Sequence, residues 1–233
     1  MKKLGLIGGI GPEATIPYYH DIVFGVQKKL NKPFFPQLTI ESLSCFEVIP
    51  MSAEGRYREL REYLLAGIRN LAAAGADFGA LACNTAHIVF DDLKAESPIP
   101  LISIVEVTLA EAQRLGITKA GLMGTAATMR EDFFKKPFLE AGIEIVVPSE
   151  DECAVIAEKI LDELEYGIVK PETVKLFCGI VDRLAEENQI EAVILGCTEL
   201  PLVFQNAVLP VACLDTMEIH IRALVDEIVK SEL

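Results

Sequence analysis

The sequence predicts an α/β fold of two similar lobes, each with a parallel sheet flanked by helices. Three observations predict it. Short apolar runs alternate with longer amphipathic segments along the whole chain, the pattern of strands joined by crossover helices. The chain also repeats itself weakly. Gly5-Leu6-Ile7-Gly8-Gly9 matches Gly121-Leu122-Met123-Gly124-Thr125, and Leu81-Ala82-Cys83-Asn84-Thr85 matches Leu195-Gly196-Cys197-Thr198-Glu199, in the same order and roughly 114 residues apart. Finally, no Ser/Gly-rich or low-complexity stretch divides the chain. The expected lobes are residues 1–103 with about 212–233, and residues 104–211.

Taken in order, Leu4–Ile7 reads as a strand that opens on glycines, and Tyr18–Leu30 as a helix. Leu38–Leu43 alternates as a strand does, and Arg56–Ala74 carries apolar residues at helical spacing up to Gly75, a suitable helix stop. Phe78–Ala82 and Leu101–Ile104 are apolar strands, followed by a helix over Thr108–Leu115 that Gly116 closes. The second half repeats the plan. Strands are expected at Ala120–Met123, Ile143–Val147, Ala192–Leu195 and Leu209–Leu214. Helices are expected at Phe133–Ala141, Val155–Tyr166, Val174–Glu187 and Ile219–Val229.

Composition removes several function classes. The 233 residues carry 35 acidic and 21 basic side chains, a net charge of −14. Such a surface disfavours nucleic-acid backbones and anionic membranes, so neither is an expected partner. The Met1-Lys2-Lys3 start with its short apolar run imitates a signal peptide, but the glycines, Pro12 and Glu13 interrupt it, and no stretch has the length of a membrane span. The expectation is a soluble cytoplasmic protein. Three His without ligand spacing make a metal site unexpected.

Six Cys in a chain of this length do not form a dense disulfide framework, and no Cys-x-x-Cys pair occurs. Two of the six, Cys83 and Cys197, stand at equivalent repeat positions where a buried strand ends and a helix starts. That is where open α/β sheets bind ligands, and a helix start favours a thiolate. Two thiols on opposite faces of a small molecule suit inversion of a stereocentre, one removing a proton and the other returning one. Cys45, Cys153, Cys178 and Cys213 have no such partners. His87, four residues past Cys83, is a neighbour that could tune that thiol.

Gly9-Ile10-Gly11-Pro12-Glu13-Ala14 fits the dinucleotide pattern G-x-G-x-x-A. Pro12 removes an N–H that a pyrophosphate would use, and Glu13 sets a negative charge beside it, so a tight turn that approaches a ligand is the better reading. Thr125 and Thr128, its counterparts in the second half, either bind the ligand's ammonium or carboxylate or cap a helix. Glu199 either holds an ammonium or sits in a first helical turn, where acids are favoured.

Gly8-Gly9-Ile10-Gly11-Pro12-Glu13-Ala14-Thr15, Ala82-Cys83-Asn84-Thr85-Ala86-His87 and Gly196-Cys197-Thr198-Glu199-Leu200 together resemble the signature stretches of the aspartate/glutamate racemase family, in order and at the right spacing. The resemblance implies two α/β lobes related by a pseudo-twofold axis, an active site in the cleft between them, no cofactor and a homodimer. It implies catalytic thiols at Cys83 and Cys197, and an amino-acid substrate lined by Ile10, Ser52, Asn84, Thr85, Thr125, Thr128, Thr198 and Glu199. The chain departs from strict aspartate racemases of this family, which carry an Arg after the second strand and a Lys near the start of the last third. Here Val48-Ile49-Pro50-Met51-Ser52 has no Arg, and Leu164-Glu165-Tyr166-Gly167 has an acid in place of the Lys. Arg56, Arg58 and Arg130 are the substitute cations for a distal carboxylate. Aspartate, glutamate and broader specificity all stay open. So do a related isomerase or decarboxylase, and a non-catalytic binding protein on the same scaffold.

Overall fold

The computed structural model, which describes residues 1–232, forms two compact units. The first is Met1–Val107 with the segment from Met217 onward, and the second is Thr108–Thr216.

The first unit runs β1 (Leu4–Gly8), α1 (Pro12–Leu30), β2 (Leu38–Ser42), α2 (Cys45–Ala53), α3 (Tyr57–Ala73), β3 (Phe78–Leu81), a 3-10 turn (Thr85–Val89), α4 (Phe90–Glu96), β4 (Leu101–Ile102) and the first turn of α5 (Ile104–Arg114). Its four strands are parallel, in the order β2-β1-β3-β4. Strand alternation decides what each face buries. Leu4 and Leu6 of β1, with Phe78 and Ala80 of β3, join Tyr18, Ile22 and Val26 of α1 in one apolar cluster. Ile7 and Leu81 point the other way, to Leu60, Leu64 and Ile68 of α3 and Val48 of α2. Each such fully buried side chain contributes about 1.5–3 kcal/mol relative to an exposed one.

The second unit runs β5 (Lys119–Gly124), α6 (Ala126–Arg130), α7 (Asp132–Glu140), β6 (Glu144–Val146), α8 (Glu150–Asp162), a 3-10 turn (Leu164–Tyr166), α9 (Pro171–Asn188), β7 (Ala192–Gly196), α10 (Leu200–Phe204) and β8 (Ala212–Asp215). The strands again are all parallel, in the order β6-β5-β7-β8. This is the first sheet's order with each strand number raised by four. The register agrees too: Ile7 of β1 pairs with Leu81, and its counterpart Met123 of β5 pairs with Leu195. The final helix, α11 (Thr216–Val229), packs Leu224 and Ile228 into the first unit's Leu4–Tyr18 cluster.

Several boundaries differ from the sequence expectation for local reasons. Helix α1 begins at Pro12 rather than Tyr18, because a proline in the first turn gives up an N–H that has no helical partner there. Helix α8 begins at Glu150 rather than Val155, because Ser149 and Glu152 form a reciprocal capping box. Strand β4 stops at Ile102, since Ser103 turns to cap α5 and its Oγ accepts the N–H groups of Val105 (3.2 Å) and Glu106 (3.3 Å). Helix α2 was not expected, and Pro50 within it is the reason. Among the described residues, no helix is long and apolar enough to cross a membrane.

Candidate active site

In a sheet of order β2-β1-β3-β4, the chain turns to opposite sides after β1 and after β3. The crevice at the carboxyl ends of those two strands is the topological switch point, where open α/β sheets bind ligands. The glycine loop leaves β1 there and Cys83 follows β3 there. In the second unit the same point lies between β5 and β7, whose ends carry Thr125 and Cys197. Each cysteine stands two residues beyond the equivalent paired leucine, Leu81 and Leu195.

The first unit's loop is closed upon itself. Gly9 has φ +80, and a Cβ there would lie 2.2 Å from the Leu43 carbonyl oxygen, so only glycine fits. Its N–H donates to Thr15 Oγ1 (2.8 Å), which in turn donates to the Gly11 carbonyl (3.1 Å). Gly9's donor is thereby taken by the protein itself. Ile10 is buried and shares an apolar cluster with Val48, Met51 and Cys83. Asn84 and Thr85 follow Cys83 into the 3-10 turn, and all three are buried. Ser52, the sequence candidate on α2, is 5% exposed, and its Oγ is buried with no hydrogen-bond partner. His87 reaches back to the Cys83 carbonyl (2.9 Å).

In the second unit, Thr125 caps α6. Its Oγ1 accepts the Thr128 N–H (3.3 Å) and lies 3.0 Å from Thr128 Oγ1. Capping, one of the two readings left open for these hydroxyls, is therefore present. Cys197, Thr198 and Glu199 are all buried beyond β7. The Cys197 thiol donates to Glu199 Oε2 (2.9 Å), and the Thr198 hydroxyl donates to the same oxygen (2.9 Å). Here the influence of a helix start toward a thiolate is outweighed. Burial, then the Glu199 charge and its hydrogen bond, push the Cys197 thiol well above its ordinary value. Helix α10 is a single short helix of 5 residues, and its dipole does not offset two carboxylates.

The second of those carboxylates is Glu165, on the 3-10 turn after α8. Burial, then the Glu199 charge, hold its proton up to about 8. Its Oε2 is buried with no hydrogen-bond partner. Nearby Glu163 anchors the turn, accepting from Thr173 (2.6 Å), Lys159 (2.9 Å) and Lys170 (3.1 Å). The sequence marked position 165 only as a departure from the family. Its burial beside Glu199 was not foreseen, and a three-residue turn carries no periodicity from which to foresee it. As for the substitute cations, Arg56 is tied at the surface to Glu54 (2.7 Å) and Glu59 (3.1 Å), and Arg58 is solvent-exposed beside Glu62. Arg130 acts on the thiol of Cys153, where it opposes the effect of burial.

Two parallel sheets of the same order, each with a buried cysteine just past a central strand, define a duplicated α/β scaffold with one candidate acid–base thiol in each unit. Comparison with known proteins names the class. A family model described as Asp/Glu/Hydantoin racemase matches residues 7–224. The broad specificity amino-acid racemase RacX of Bacillus subtilis (strain 168) is 26% identical over 208 residues, 87% of this chain and 88% of the relative. A glutamate racemase of Aquifex aeolicus (strain VF5) is 29% identical over 165 residues, 68% of this chain and 61% of the relative. The crystal structure of an aspartate racemase homologue from Pyrococcus horikoshii OT3 superposes with a TM-score of 0.81 at 36% identity, covering 98% of this chain and 99% of that one. These matches make the protein an isomerase of the amino-acid racemase class. The chain belongs to the Asp/Glu/Hydantoin racemase family.

Proposed function

We propose that this protein is a cofactor-independent racemase of free amino acids, with Cys83 and Cys197 as its two acid–base groups. The observation that carries the reading is the equivalence of the two thiols. Each lies two residues past the matching leucine of a central strand in sheets of identical order.

The chemistry follows from the proton balance. One cysteine, as thiolate, takes the proton from Cα, and the electron pair moves into the α-carboxylate as an enediolate. The other cysteine, as thiol, gives a proton to the opposite face, which inverts the centre. The Cα proton is a very weak acid and a thiolate of ordinary pKa about 8.5 is a modest base, so the developing charge needs preorganised donors. Asn84 and Thr85 with their N–H groups beyond Cys83, and Thr198 beyond Cys197, are the assigned donors. Ile10 and Ser52 of the first unit and Thr125 and Thr128 of the second are assigned as substrate-binding residues, and Glu199 receives the ammonium. Cys197 rests as a thiol bonded to Glu199, which suits it to act first as the acid while Cys83 acts first as the base. In the opposite direction the roles exchange.

Broad specificity is favoured over aspartate specificity. No Arg stands in Val48–Ser52, and the acidic side chains Glu165 and Glu199 on the Cys197 side offer no cation to pair with a distal carboxylate. The six free cysteines suit a reducing cytoplasm. A homodimer completes the reading, and the exposed side chains Tyr19, Phe24 and Phe35 are an apolar surface available for it.

Proton NMR in D2O with a panel of L-amino acids and no added cofactor tests the proposal. Loss of the α-proton signal together with formation of the D-enantiomer identifies reaction and substrate at once. Loss of CO2, or no exchange with any amino acid, overturns it in favour of a related chemistry or a binding role.

A further inference from the structure

The ladder between β3 and β4 ends at Ala80 and Ile102, and on the other side the last bond is Ala82 N–H to the Ile7 carbonyl (2.9 Å). Cys83 lies just past both. Its carbonyl is taken by a side chain, His87 Nδ1 at 2.9 Å. The other ring nitrogen, Nε2, receives the N–H of Ile104 (3.2 Å), the first residue of α5. A carbonyl only accepts and an N–H only donates, so His87 is neutral with its proton on Nδ1. The ring stacks on Phe90 at a centroid distance of 4.7 Å and is buried. Burial outweighs its hydrogen bonds and holds its pKa near 4, so the same tautomer persists through the neutral range.

A second histidine secures the anchor. His220 of α11 is fully buried and donates from Nε2 to the Ile102 carbonyl (3.1 Å), while its Nδ1 accepts from Tyr18 OH (2.7 Å). The two rings, in opposite tautomers, therefore grip the backbone on either side of Ser103. Tyr18 joins this grip to α1, the helix that follows the glycine loop.

We infer that His87 is a positioning residue for the Cys83 thiol, holding the strand-end backbone in place through its hydrogen bond to the Cys83 carbonyl, while the Ile104 N–H orients the ring. The inference rests on the reading of Cys83 as an acid–base group. His87 touches no reacting atom. It fixes the backbone from which the thiol projects, and small displacements of a reacting group are costly to rate, on the order of a hundredfold for 1 Å.

The test compares two amide replacements. Asn offers its N–H near the site of Nδ1, so H87N keeps the bond to Cys83; Gln offers its oxygen near Nε2, so H87Q keeps the bond from Ile104 and loses the one to Cys83. H87Q is expected to lose kcat at least about tenfold with KM unchanged, and H87N to keep kcat within about threefold at a similar melting temperature. Full kcat in H87Q overturns the inference. So does an equal loss in both variants, which marks a purely structural ring. A measurement on the unaltered protein guards against misfolded variants: long-range 1H–15N correlation at pH 7 must show His87 as the Nδ1–H tautomer, and the Nε2–H form overturns the inference. A C83S control separates the two claims. If C83S still racemises, the two-thiol reading has failed; if C83S is inactive while H87Q is fully active, only the positioning role has failed.

Discussion

Cys197 Sγ lies 2.9 Å from Glu199 Oε2 and donates a hydrogen bond to it. Burial already disfavours the thiolate, and the Glu199 charge adds to that effect. Replacing Glu199 by Gln removes the charge and leaves the shape, so the thiol should become more acidic. Each unit of lowered pKa raises the thiolate fraction, and with it the alkylation rate, about tenfold. Mass-spectrometric timing of iodoacetamide labelling at pH 8 should therefore show faster modification of Cys197 in E199Q than in wild type. An unchanged rate would mean that the carboxylate does not govern this thiol.

Glu165 yields a stability prediction with a definite sign. Its carboxyl holds a proton up to about 8 in the folded protein, first because it is buried and then because Glu199 is near. A folded pKa above the unfolded value favours the fold below about 4.5, and that advantage is lost as pH rises through about 8. Glu165→Gln keeps the neutral form at every pH. The variant should match wild type near pH 4 and exceed it at pH 9, by on the order of a few kcal/mol. Urea unfolding at the two pH values checks this, and a variant less stable at pH 9 would contradict it.

Cys83→Ser and Cys197→Ser should each abolish racemisation while leaving the fold intact. A serine hydroxyl keeps the size of the side chain but is far too weak an acid to supply the alkoxide at neutral pH. Chiral chromatography of product, alongside circular dichroism of each variant, measures both quantities. Racemisation at the wild-type rate in either variant would remove that cysteine from the mechanism.

What the sequence made legible was whatever repeated or lay close along the chain. The strand-end cysteines stood out because Leu81–Thr85 and Leu195–Glu199 mirror one another, and the two parallel sheets followed from the same repeat. What it hid depended on long-range burial or on exceptions to local rules. Helix α2 was masked by Pro50, which argues against helix but is tolerated in so short an element. Glu165 stood out only as an acid in place of a Lys, since nothing local distinguishes a half-buried glutamate from a solvated one. The Tyr18–His220 bond joins residues 202 apart, and no periodicity links α1 to α11 at that distance. The acidity of Cys197 was not legible, because proximity to a helix start was visible in the sequence and enclosure beside two acidic side chains was not.

Burial of two histidines makes the first unit acid-sensitive. His220 is held near 3 and His87 near 4, in both cases chiefly by burial. A folded pKa depressed below the unfolded 6.5 means stability that is present above 6.5 and lost as pH falls toward the folded value. Between pH 6.5 and 5 each ring should remove about 1.5 kcal/mol from the stability of the fold. Glu165 acts in the opposite direction over that window, because its folded form is the protonated one, so the net slope of the wild type alone is not diagnostic. The difference between variants is. His220→Gln retains an N–H for the Ile102 carbonyl and cannot titrate. Its urea-unfolding stability should decline less than that of wild type between pH 6.5 and 5, by about 1.5 kcal/mol. Parallel pH dependences for the two proteins would show that His220 can accept a proton without unfolding, and that the ring is not enclosed in solution.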